Sequence, residues 1–150
     1  MLKLMHPVAG AVAILLISGF WLSTAVVELF GTHSQIVTVK TLIPWGFLFL
    51  IPALAATGAS GLVLAKGRRS GLIGIKMKRM PFVAANGLLI LVPAAFFLAY
   101  KATSRQFDTN FAIVQMIELL AGAANLTLLS LNMRDGFRMR RRMLRQQHPQ

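Results

Sequence analysis

The chain contains no cysteine. Disulfides, thiolate metal sites and thiol nucleophiles are therefore excluded, and the absence says nothing about compartment. Acidic residues are nearly as scarce: Glu28, Asp108, Glu118 and Asp135 are the only four among 150 residues. Charged residues make up 13% of the chain and hydrophobic ones 56%, whereas soluble domains are about 25% charged. Histidine occurs three times, as His6, His33 and His148. No phosphate-cradling glycine loop, nucleophile elbow, zinc-protease helix or dinucleotide fingerprint is present.

What the chain has instead is four long apolar runs, at residues 7–30, 41–65, 81–100 and 109–133. Each is roughly 20 residues or more, enough to cross about 30 Å of hydrocarbon as a helix. The first run is too long for the apolar core of a signal peptide, roughly 7–15 residues, and no convincing A-x-A cleavage site precedes Glu28, so it reads as a retained span. Pro7 suits a first helical turn, where its missing N–H costs nothing. Pro44 and Pro52 should kink the second run and free backbone carbonyls. The second run's AATGASG segment is a small-residue surface suited to close helix packing.

The formal charge of +12 is distributed as topogenic charge. Lys3, then Lys66, Arg68, Arg69, Lys76, Lys78 and Arg79, then Arg134, Arg138, Arg140, Arg141, Arg142 and Arg145 fall on one side of the spans. Lys40, Lys101 and Arg105 fall on the other. Thirteen against three places both termini in the cytoplasm. Short links between spans predict an all-α, four-transmembrane-helix antiparallel bundle, with residues 1–133 in a bacterial inner membrane and residues 134–150 as a basic cytoplasmic tail. Arg138, Arg140, Arg141, Arg142 and Arg145 are expected to bind anionic headgroups, with the tail as a short helix lying in the interface. No folded domain presents this run to nucleic acid.

Inside the spans, polar residues keep helical spacing. Asp108, Phe111, Gln115, Glu118, Gly122, Asn125, Leu129 and Asn132 share one stripe of the fourth span. A carboxylate at the depth of Glu118 is costly and should face other helices or an internal cavity. As interhelical glue, Gln115, Glu118 and Asn125 would bond across helices, with Gly122 allowing close approach. Asn86 in the third span is the expected partner of Asn125. In the first span, His6, Gly10, Ala13, Ile17, Trp21, Thr24 and Glu28 share a face.

Three readings of function follow. In the first, the chain is an electron-transfer subunit binding haem b, or a quinone, as a homodimer or with a partner. Histidine is the usual axial ligand in a cysteine-free membrane bundle and methionine a possible second one, which singles out His6, His33 and Met80. Gly10 would leave room for the macrocycle and Trp21 would pack on it. His6 and His33 lie at opposite membrane faces, so a bis-histidine haem needs two chains. Glu28, His33 and Lys40, expected to cluster at the outer face with Glu118 deeper, can pass protons or hold a quinone headgroup. A divalent-metal site from Glu28, His33 and Glu118 is a minor variant, and a plain Glu28–Lys40 ion pair is the structural alternative. In the second reading, the chain is a non-catalytic accessory subunit of a larger membrane complex. In the third, it is a small proton-coupled transporter using Glu118.

Overall fold

The helix boundaries follow from local chemistry. Thr32 and Gln35 form a capping box: the Gln35 side chain accepts from the Thr32 N–H at 2.8 Å, and the Gln35 N–H reaches the Thr32 hydroxyl at 3.4 Å. Helix therefore begins at His33, and the stretch read from sequence as a polar link up to Lys40 is helical, leaving only Gly31 and Thr32 between the first two helices. Asp108 opens the last helix by accepting from the Phe111 N–H at 3.0 Å. Just before it, Arg105 takes a positive φ of 53° as the chain turns.

A computed structural model describes the backbone of residues 2–65 and 71–147, and the side chains of these except 2–4, 65, 71–73, 76–77 and 139–147. Its helices are α1 (Leu2–Phe30), α2 (His33–Ala65), α3 (Gly71–Asn86), α4 (Val92–Thr103) and α5 (Thr109–Gln147), with no strand among the described residues. Between α3 and α4, Gly87–Leu91 forms a π-helical segment, so that α3, this segment and α4 run on as one rod. The Val92 N–H bonds back to the Gly87 carbonyl, the five-residue spacing of a π turn. Pro93 follows at once; its ring lacks an N–H and crowds the carbonyl four residues back, and the wider turn relieves that clash.

Four helices are long and apolar enough to cross a membrane: Met5–Phe30, His33–Leu64, Lys78–Thr103 and Thr109–Arg138. They pack as a ring in which α1 touches α2 and α5, while the α3–α4 rod touches α5 and, through α4, α2. The core has two parts. Ala13, Ile17, Ile43, Phe47, Leu50, Val83, Ala95 and Leu129 form the larger cluster. Ile36, Leu98, Ala102 and Phe111 form the smaller one, near the Gly31–Thr32 link and the turn before α5. The outward surface is apolar as well, with Trp45, Phe49, Phe82, Leu89 and Leu120 all well exposed.

Two aromatic side chains of α1 fit glycine notches. Phe20 lies against Gly46, where a Cβ would collide with its ring, and stands edge-on to Phe47 at 6.2 Å between centroids. Trp21 lies against Gly122, where a Cβ would come within 2.7 Å of the indole. α5 runs without a break through residue 134 into the basic tail. The tail backbone thus extends the last span rather than forming a separate helix.

Candidate functional site

The interior stripes converge on a buried ionic cluster. On α2, Ile36, Lys40, Ile43, Phe47 and Leu50 recur at alternating spacings of four and three and are all buried, so the helix begun at Thr32 carries Lys40 inward. Lys40 is only 1% exposed. Its ammonium donates to Glu118 Oε2 at 2.5 Å, and the Glu118 side chain is 12% exposed. α2 and α5 are not adjacent in the ring, so this pair spans the interior of the bundle.

Glu118 takes a second hydrogen bond, from Gln115 Nε2 at 3.3 Å. Glu28 of α1 is close enough to interact electrostatically with both Lys40 and Glu118. Its Oε1 is buried without a hydrogen-bond partner, as is Oε1 of the 5%-exposed Gln115. Two carboxylates thus lie in the electrostatic neighbourhood of one ammonium, which bonds only Glu118; with both ionised, the three groups would carry one net negative charge. A buried ion pair is neutral at best for stability, and ionisable groups placed this deep in a span are characteristic of ion and proton paths.

The other sequence candidates occupy separate neighbourhoods. His6 Nδ1 lies 3.1 Å from the Thr57 carbonyl and 3.0 Å from the Ser60 hydroxyl. A carbonyl can only accept, so Nδ1 carries a proton. Gly61 leaves space for this ring, and Gly10 faces Thr57; the small-residue segment of α2 receives the start of α1. Met80 Sδ accepts from Asn132 Nδ2 at 3.3 Å. His33 is exposed and stacks on Phe107, with centroids 4.5 Å apart. Trp21 Nε1 donates to the carbonyl of Leu119, the residue after Glu118 on α5, at 2.8 Å. Among the described residues, no three His, Asp or Glu side chains converge as metal ligands, so the Glu28–His33–Glu118 metal arrangement is not formed. Nor does the expected Glu28–Lys40 ion pair form, because Lys40 reaches across to Glu118.

Asn86 and Asn125 do meet. Asn86 Nδ2 donates to Asn125 Oδ1 at 2.9 Å and to the Ala121 carbonyl at 2.8 Å, while Asn125 Nδ2 points at the Val83 carbonyl at 3.4 Å. This clamp joins α5 to the rod just where the π segment begins. Sequence reasoning missed a further cross-link between the same two elements, in which Arg79 pairs with the buried Asp135 at 2.9 Å. Arg138 is exposed, and the side chains of Arg140, Arg141, Arg142 and Arg145 lie outside the described residues, as does His148. Comparison of the chain with protein-family models, with curated proteins and with solved structures found no match.

Proposed function

We propose that this chain is a small integral membrane protein that moves protons, and couples their movement to transport, through the Glu28–Lys40–Glu118 cluster. The observation that carries this reading is the Lys40–Glu118 pair: a 1%-exposed ammonium joined across the bundle to a mid-span carboxylate, with a second carboxylate beside it. Such a cluster stabilises little for the desolvation it costs, but it is what a proton-binding site in a membrane requires. Lys40 is 7 residues into α2 and Glu118 9 residues into α5, which places them about 10 and 14 Å along their helices. The site therefore sits nearer the Gly31–Thr32 link than the Arg79–Asp135 cross-link.

The contacts support an antiparallel bundle: His6, Phe20 and Glu28 along α1 meet Thr57, Phe47 and Lys40 in reverse order along α2. With the excess of positive charge on the other side, the cluster lies nearer the non-cytoplasmic face of a bacterial inner membrane. Four spans are few for a carrier, which favours a homodimer. The haem reading has less support, because His6, Met80 and His33 each answer to different neighbours.

The test is proton flux into proteoliposomes carrying an internal pH dye. The full chain should dissipate an imposed pH gradient, and Glu118→Gln should abolish that flux. Flux that survives unchanged in Glu118→Gln overturns the reading.

A further inference from the structure

Counting the hydrogen-bonding capacity of the cluster deepens the proton-carrying reading, on which this inference rests. Lys40 is faced by Glu28 from α1 and by Glu118, held by Gln115, from α5. α4 also packs on α2, but its Lys101 is engaged with Asp108 and Gln106, and its Tyr100 is exposed. The ammonium therefore interacts electrostatically with two carboxylates and is bonded to one. The other, Glu28, has a buried oxygen without a partner.

We propose that Glu28 and Glu118 share one proton and exchange it while the Lys40 ammonium crosses between them in the opposite direction. In the arrangement seen, Lys40 donates to Glu118, and the proposal assigns the shared proton to Glu28. In the alternate arrangement, the O–H bond at Glu28 has broken, an O–H bond has formed on Glu118, and Lys40 donates to Glu28. The ammonium keeps its three hydrogens throughout, and nothing is oxidised or reduced. Both arrangements are neutral, which is the condition for a low-dielectric interior to tolerate the cluster. The exchange carries a proton from a residue 2 positions from the end of α1 to one 9 residues into α5. It also changes the bracing of the bundle: Lys40 ties α2 to α5 across the interior in one arrangement, and α2 to its neighbour α1 in the other.

Infrared spectroscopy of the full chain in lipid nanodiscs at neutral pH separates this exchange from a fixed buried acid. The wild type should show the carbonyl stretch of one protonated, buried carboxyl. Glu28→Gln should lose it, because Lys40 then balances Glu118 alone. Glu118→Gln should also lose it, because Lys40 moves to Glu28 and holds it ionised. Glu118→Asp should keep it, showing that the loss in Glu118→Gln is not misfolding. A band retained in Glu118→Gln, or absent from the wild type, overturns the exchange. Flux in proteoliposomes should fall at least tenfold in Glu28→Gln. Flux lost in Glu118→Gln but intact in Glu28→Gln overturns the exchange and leaves the proton-carrying reading standing. A wild type without flux overturns that reading, and the infrared result still decides the exchange.

Discussion

Replacing Lys40 by methionine removes the ammonium while keeping most of the side chain's length and apolar bulk. What remains is Glu118 with its Gln115 hydrogen bond, and Glu28 beside it, in an interior from which Lys40 had excluded solvent almost completely. Removing one partner of a buried ion pair leaves an uncompensated charge and costs about 3–5 kcal/mol. Glu118→Gln should cost less, because the stranded ammonium still has the charge of Glu28 in its electrostatic neighbourhood. The double variant Lys40→Met/Glu118→Gln replaces the pair with neutral groups and should fall within about 1 kcal/mol of the wild type. The two substitutions should therefore couple by at least about 2 kcal/mol, with the double variant more stable than Lys40→Met alone. Reversible unfolding in mixed micelles, followed by circular dichroism across a titration of denaturing detergent, measures all four corners of the cycle. Additive costs, or a double variant weaker than either single one, would refute the reasoning. The charge balance of the cluster would then lie elsewhere.

Three further outcomes are expected. Gly122→Ala pushes a methyl group to within 2.7 Å of the Trp21 indole, which should cost about 1–3 kcal/mol by overpacking and shift the Trp21 emission; a Trp45→Phe background isolates that signal, and an unshifted spectrum contradicts the notch. Asp108 has its carboxyl held below the usual range, chiefly by the hydrogen bond from Lys101 and then by the Phe111 N–H. Its folded value lies below the unfolded 3.8, so its contribution is complete above that pH and is lost as pH falls through the folded value; melting curves of wild type and Asp108→Asn should converge in acid, and parallel curves down to the lowest pH would exclude this source. The absorption spectrum of protein purified from haem-supplemented cells should show no Soret band. One that shifts with dithionite and disappears in His6→Ala would return the haem reading to first place.

Much of this arrangement was legible in residue spacing. The α5 stripe read at three- and four-residue steps is buried at Phe111, Gln115, Asn125, Leu129 and Asn132, and the α1 face is buried at Ala13, Ile17 and Thr24. These positions are set by helical periodicity against an apolar background, and polar residues on such a face have nowhere to go but inward. Lys40 was misplaced because a lysine beside threonines and a glutamine looks like a link. The signal was nonetheless present: Thr32 and Gln35 make a capping box, and counting from it puts Lys40 in line with Ile36 and Ile43. Which carboxylate Lys40 chooses is another matter. Glu28 is nearer in sequence, and only the packing of α1 and α5 around α2 gives the ammonium to Glu118. The Trp21–Leu119 bond was not legible for the same reason, since it depends on how neighbouring helices seat against one another.

The length of α5 has a mechanical consequence. Its 39 residues make a rod of about 58 Å, against roughly 30 Å of hydrocarbon, so nearly half of it stands beyond the bilayer. Glu118 lies in the part within the bilayer, and the Arg79–Asp135 pair grips the shaft further along. Beyond that grip the helix continues for 12 residues, from Asp135 to Gln147, or about 18 Å, so about 10° of tilt displaces its far end by about 3 Å. On the proposed exchange, any tilt of α5 that accompanies the change of bracing reaches the basic tail as well as the cluster.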